Sequence, residues 1–124
     1  MITNRSINIE LDLKSWQKNA RAEIMAAIRN NDQITYSALA ATANMTGPHK
    51  IHRLTSWLEQ LMTEDHLNGR PLRAAVVISK ARGGLPAPGF FEKAKELGLD
   101  FETTDRHANY KIYLQKVYNS TSDQ

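Results

Sequence analysis

The 124 residues predict a mostly helical α+β fold: a winged helix-turn-helix with a short strand, a wing and an added C-terminal helix. Three observations carry that expectation. Apolar residues recur at helical spacing over much of the chain. A short alanine-rich stretch is followed, after a Gly-Pro turn, by a longer amphipathic one. A β-branched apolar run then leads into a Gly/Pro loop with two positive charges.

In chain order, Ile7-Asn8-Ile9-Glu10-Leu11 alternates apolar and polar residues, so residues 1–12 read as an N-terminal arm or edge strand. Asp12 is placed to cap a first helix over about 13–30, whose inner stripe is Leu13, Trp16, Ala20, Ile24, Ala27 and Ile28. Asn30-Asn31-Asp32 breaks it, and Thr35 is the candidate cap of a short helix over 37–43. After the turn at 44–48, a third helix over about 49–64 carries Ile51, Leu54, Leu58, Leu61 and Met62 inward, with Trp57 at the boundary. Glu64-Asp65 reads as an ordinary polar helix end. Residues 72–79 read as a strand, 80–89 as a loop, 90–97 as a helix stopped by Gly98, and about 105–118 as a last helix. Residues 13–118 thus form one winged-helix-like domain, and 119–124 a polar, disordered tail.

Composition narrows the function classes. The chain has no cysteine, which excludes disulfides, thiolate nucleophiles and Cys-ligated zinc. With no apolar run of about 18 residues and no signal-peptide pattern at residues 1–6, the expectation is a cytoplasmic protein with no membrane partner. Net charge is +3, which permits nucleic-acid binding without requiring it.

The segment Ile34-Thr35-Tyr36-Ser37-Ala38-Leu39-Ala40-Ala41, followed by Gly47-Pro48-His49-Lys50-Ile51, resembles the DNA-binding domain of the methylated-DNA–protein cysteine alkyltransferases and alkyltransferase-like proteins. That family has a Val/Ile-Thr/Ser-Tyr lead into its first recognition-motif helix and a Leu-Ala pair. A longer helix follows, with an arginine that replaces a flipped base in the stack, then a Pro-Cys-His-Arg-Val-Val segment and a Gly-rich wing. Val76-Val77 and Gly83-Gly84-Leu85 stand in similar order, so the resemblance covers roughly residues 23–97. It implies that Tyr36 contacts a phosphate or a flipped nucleotide; read from the residues alone, Tyr36 is equally a half-buried aromatic that braces the helix pair. It also implies that Lys50 stands near the intercalating arginine's position, with Arg53 the alternative one turn on. Leu72-Arg73-Ala74-Ala75 occupies the neighbourhood of the cysteine-bearing tetrad. Alkyl transfer is therefore excluded, because the nucleophile does not exist. The stretch from Arg70 to Phe91 is also similar to a segment that recurs in short bacterial and mobile-element proteins.

Lys50, Arg53, Arg70, Arg73, Lys80 and Arg82 fall between positions 47 and 82 with only Glu59, Glu64 and Asp65 as acids, a candidate basic patch. The candidate DNA-binding residues are Tyr36, Ser37, Lys50, Arg53, Arg73, Lys80, Arg82, Gly83 and Gly84. The glycine pair either lets backbone N–H groups approach a phosphate or simply makes a turn. His49 and His52 are spaced for a metal pair but lack a third ligand at a telling spacing, and no catalytic or dinucleotide motif appears, so neither metal nor cofactor is expected. The expected function is non-catalytic binding of double-stranded DNA, with the third helix in a groove and the wing on phosphates. The alternative is a protein-interaction module, such as a phage or mobile-element inhibitor of a bacterial defence system or an immunity-type partner. Its interface would be built on Phe90, Phe91, Tyr110 or Tyr113. Oligomeric state is left open.

Overall fold

A computed structural model describes residues 3–120, with side chains from residue 15 onward. Helix α1 runs unbroken over Thr3–Arg29. The arm or edge strand expected at 1–12 is therefore helix from Thr3 on, residues 1–2 lying outside the described residues. Asp12 lies inside α1 rather than capping it. The physical reason is the sequence spacing: Ile9, Leu13, Trp16 and Ala20 keep the helical period, and no Gly or Pro interrupts residues 3–29.

Strand β1 (Ile34–Thr35) leads directly into α2 (Tyr36–Thr42). Thr35 caps α2 as expected, its Oγ1 accepting the Ala38 N–H at 3.1 Å. The turn to α3 contains three left-handed residues, Asn44, Gly47 and His49. At Gly47, with φ of 84°, the missing Cβ removes the strain a side chain would meet. Helix α3 spans Lys50–Leu67, three residues beyond its expected end. Leu54, Leu58, Leu61 and Met62 face inward as expected. Ile51 does not: it is 44 % exposed. Trp57 is buried and meets Trp16 edge-on, with ring centroids 5.7 Å apart.

The strand expected over 72–79 is mostly something else. Arg73–Val76 is a 3-10 turn, and only Val77–Ile78 forms strand β2. It pairs in parallel with β1, Ile34 opposite Val77 and Thr35 opposite Ile78. A parallel pair needs a crossover, and α2 and α3 supply it. Beyond β2 lies a second 3-10 turn, Lys80–Arg82, closed by Gly83 and Gly84 with φ of 66° and 82°. The chain then returns antiparallel, Ser79 N–H donating to the Leu85 carbonyl at 2.9 Å. Helix α4 (Pro88–Glu96) starts two residues before its expected first residue, with Pro88 in its first turn, and Gly98 follows it. Helix α5 spans Arg106–Ser120, so Asn119 and Ser120 are helical rather than tail, and 121–124 lie outside the described residues. The chain is thus α+β and mostly helical, with a small two-stranded parallel sheet.

One buried cluster runs from Trp16 to Val117. All four tyrosine hydroxyls tie it to backbone. Tyr110 donates to the Ala75 carbonyl at 2.7 Å and Tyr118 to the Asp32 carbonyl at 2.9 Å. Tyr113 accepts the Leu72 N–H at 2.7 Å and Tyr36 the Ala87 N–H at 2.9 Å. Phe90, Phe91 and Phe101 pack beside Tyr110 and Tyr113.

Glu64-Asp65 is not an ordinary polar helix end. Asp65 is 0 % exposed. Its carboxylate accepts the Arg73 backbone N–H at 3.0 Å, the Arg73 guanidinium at 2.7–3.1 Å and Arg70 Nε at 3.1 Å. Glu64 beside it pairs with Arg21 of α1 at 2.9 Å and with Arg73 at 3.2 Å. The bond from Arg21 chiefly holds Glu64 below the ordinary glutamate range; partial desolvation opposes it, and the charges of Arg21, Arg73 and Arg70 add to it.

Removing the Asp65 carboxylate leaves the largely buried Arg73 with only its 3.2 Å pair to Glu64. Asp65→Ala is expected to cost about 3–5 kcal/mol of stability, read as a lower urea midpoint. Glu64 has a lowered folded pKa, so its contribution is full above the ordinary glutamate range and is lost as pH falls through the lowered value. The urea-midpoint gap between the parent and Arg21→Ala should therefore be widest at neutral pH and shrink in acid. A gap independent of pH would show that Arg21 acts by packing alone.

Candidate nucleic-acid interface

Tyr36 stands at the centre of the site. It begins α2 directly after β1, so the sheet fixes its backbone while the ring reaches across to α4. The hydroxyl takes the Ala87 N–H, just ahead of the first turn of α4. Burial raises the Tyr36 phenol above the ordinary tyrosine range, the Ala87 bond working against it, so the hydroxyl is neutral at pH 7.

The ring separates two hollows. One, of about 380 Å³, lies between the starts of α2 and α3 and the end of β2; Ser37, Ile51, Ser79 and Lys80 line it. The other, of about 240 Å³, lies between α3, the 73–76 turn and the start of α4; Leu58, Glu59, Met62, Ala74 and Phe90 line it. Tyr36, Thr55 and Ala87 belong to both. Ile51 is exposed because it faces the first hollow rather than the core.

The structure thus brings Tyr36, Ser37 and Lys80 together and sets Lys50 next to Ile51 at the start of α3. Lys50, Lys80 and Arg82 are exposed and make no ion pair among the described residues. Arg53 is differently employed. Its guanidinium donates to the Thr46 carbonyl and, at 3.2 Å, to the Pro48 carbonyl, bracing the turn between α2 and α3. Arg73 is 13 % exposed in its side chain and bound to Asp65. Arg70 shares that anchorage. The six basic residues therefore do not form one patch. Fifteen residues of helix, roughly 22 Å of rise, separate Lys50 from Asp65 and its arginines. Gly83 and Gly84 turn the hairpin and border a separate hollow against α5, beside Gln33 and Tyr110. Gln33 donates to the Tyr110 hydroxyl at 2.8 Å and to the Gly84 carbonyl at 3.4 Å.

Two site features escaped the sequence reading. Glu59 passed as one acid among three, yet it lines the hollow beside Tyr36. Ile51 passed as core. His49 caps α3 with a left-handed backbone and His52 precedes Arg53; no group of three potential metal ligands occurs among the described residues. No helix among the described residues is long and apolar enough to cross a membrane. No protein-family model matches the chain, and no curated protein or solved structure is significantly similar to it.

Tyr36→Phe leaves the Ala87 N–H without its acceptor at the point where α4 starts. A stability loss of about 1 kcal/mol is expected, with faster amide exchange at Ala87 than at Leu58. Unchanged exchange at Ala87 would show that water replaces the hydroxyl.

Proposed function

We propose that this chain is a non-catalytic, cytoplasmic DNA-binding protein, a winged-helix reader similar in plan to the alkyltransferase-like proteins but without their cysteine. The observation that carries the reading is the groove around Tyr36, with Ser37 and Lys80 in its wall and Lys50 next to its Ile51, both lysines exposed and without an ion pair among the described residues. The α2–turn–α3 pair supplies the recognition layout, with the start of α3 facing the groove. The hairpin at 79–85 supplies a short wing bearing Lys80 and Arg82. Lys50, Lys80 and Arg82 contact phosphates, Ser37 adds a hydroxyl donor, and Tyr36 offers an aromatic wall to an extruded base. Arg53 reaches a groove only by leaving the 46–48 carbonyls, so it acts first as a brace of the recognition turn. Arg73 takes no part in contacts to DNA because Asp65 holds it. Ala74 stands in the wall of the smaller hollow, within the Leu72–Ala75 stretch that lies near the place of the family's cysteine-bearing tetrad, which this chain lacks.

One observation favours the second reading, a protein partner. Ile51 is 44 % exposed beside this groove. The interface expected on Phe90, Phe91 and Tyr110 is not on offer, since these side chains are at most 6 % exposed.

Anisotropy of a labelled duplex at low and physiological salt tests the choice. DNA binding is expected to weaken steeply with salt, the log–log slope falling by about 0.9 for each lost phosphate contact in the folded Lys50→Ala/Lys80→Ala/Arg82→Ala variant. No duplex binding at low salt would overturn the DNA reading in favour of a protein partner.

A further inference from the structure

The hollow between α5 and the 79–85 hairpin shares no lining residue with the two hollows beside Tyr36. It measures about 440 Å³, within the roughly 300–1,000 Å³ of small-molecule pockets. Helix α5 lines it with His107 and Lys111, one turn apart, then Leu114 and Tyr118. Gly83 and Gly84 line it from the hairpin. Seven residues of helix, roughly 10 Å of rise, separate Lys111 from Tyr118, so the hollow has two ends.

One end is cationic. His107 and Lys111 are exposed and make no ion pair among the described residues, and neither does Arg82 beside Gly83. The acids of the segment before them are engaged: Glu102 pairs with Arg106, and Asp105 accepts the His107 and Ala108 N–H groups. This end attracts an anion. The N–H groups of Gly83 and Gly84 donate to the Lys80 and Ser79 carbonyls, so side chains rather than backbone must hold it. The other end offers acceptors. Tyr110 gives its one hydroxyl proton to the Ala75 carbonyl, so it must receive one from Gln33, whose Nε2 lies 2.8 Å away. The same Nε2 reaches the Gly84 carbonyl at 3.4 Å. Those two bonds fix the amide's orientation and leave Gln33 Oε1 without a partner among the described residues. Burial, and after it the Asp32 carboxylate, raises the Tyr118 phenol, which puts an acid near this end. An acid and a carbonyl oxygen favour hydroxyl donors and repel a second anion.

We propose that this hollow binds a small phosphorylated sugar, its phosphate on Lys111 and His107 and a hydroxyl on Gln33 Oε1. The proposal goes beyond the DNA-binding reading and does not depend on it. Inorganic phosphate satisfies only the cationic end, and a neutral sugar only the other. Leu114 and the tyrosine rings give the sugar's C–H groups an apolar wall. A phosphodiester of a DNA backbone shares the anionic chemistry, but it uses two of its oxygens as esters and brings no free hydroxyl beside it.

The test titrates the full isotope-labelled chain with ribose 5-phosphate, inorganic phosphate and ribose, read by NMR at the backbone amides of Gly83, Gly84 and Lys111. Ribose 5-phosphate should shift these amides saturably, with a Kd of about 1 mM or tighter. Inorganic phosphate and ribose should each bind at least about fivefold more weakly. Lys111→Ala, at an exposed helix position where alanine keeps the helix, should weaken ribose 5-phosphate about tenfold. Lys111→Arg should retain most of the binding, and Lys50→Ala, beside the other groove, all of it. No saturable shift of those amides, or shifts that persist undiminished in Lys111→Ala, overturns the proposal. Equal binding of inorganic phosphate overturns the sugar and the role given to Gln33. Shifts of the same amides by an unphosphorylated duplex, with none by ribose 5-phosphate, overturn the proposal as well and assign the hollow to a DNA backbone.

Discussion

The carboxylate of Asp65 is the constraint on which the second half of the fold depends. It lies on the inner stripe of α3, wholly removed from solvent, and receives the backbone and side chain of the same arginine. Burying an ion pair is expensive, and a well-packed apolar substitute would often serve stability as well. What an apolar pair does not supply is direction. Arg73 meets the carboxylate with its Nε, a terminal nitrogen and its backbone N–H, so the chain cannot slide by a residue without breaking all three. That fixed point curls residues 73–76 into a 3-10 turn and delivers Val77 opposite Ile34. Glu64 extends the clamp to α1 through Arg21, so the longest helix, α3 and the sheet share one electrostatic knot. No buried polar side-chain atom among the described residues is left without a partner.

From that knot the order is transmitted by tyrosines. Tyr113 grips Leu72 just before the 3-10 turn, and Tyr110 grips Ala75 within it. Burial raises both phenols above the ordinary range, so both keep their protons and their bonding pattern through any ordinary change of pH. Helix α5 therefore works as a brace for the turn it touches. Once β2 is placed, the hairpin at 79–85 is placed, and with it Lys80. The chain then returns to Ala87, where Tyr36 closes the circuit to α2. The groove is thus assembled from pieces far apart in sequence, each positioned by a backbone bond.

Local signals in the sequence found the pieces whose reasons are local. Thr35 capping α2, the apolar spacing of 54, 58, 61 and 62, and the stop at Gly98 all depend on near neighbours. The failures have long-range causes. The alternation at 7–11 satisfies a strand template, but the helical period through Ile9 and Leu13 also passes across it, and an uninterrupted helix prevailed. The run at 74–78 looks like a strand until Arg73 is bound to a carboxylate eight residues earlier. Asp65 itself left a trace: it falls seven residues after Leu58 and four after Leu61, on the apolar stripe, with two arginines soon after. An acid in that position, followed by Arg70 and Arg73, marks a buried pair more than a solvated helix end. Glu59 left no comparable trace, because a hollow made by three separate elements has no local pattern.

Composition also overstated the charge available to a partner. Of six basic residues between positions 47 and 82, Arg70 and Arg73 are bound to acids and Arg53 braces a turn. Lys50, Lys80 and Arg82 remain. Proteins that rely on phosphate contacts for affinity make about six to ten of them. Under the DNA-binding reading, three give a weak and salt-sensitive hold that by itself carries no sequence information. On that reading, discrimination must come from what the cations surround: an aromatic wall fixed by its own hydroxyl, with Ser37 and the exposed Ile51 in the same groove. A weak electrostatic hold makes such contacts effective, since on that reading they decide whether the complex persists.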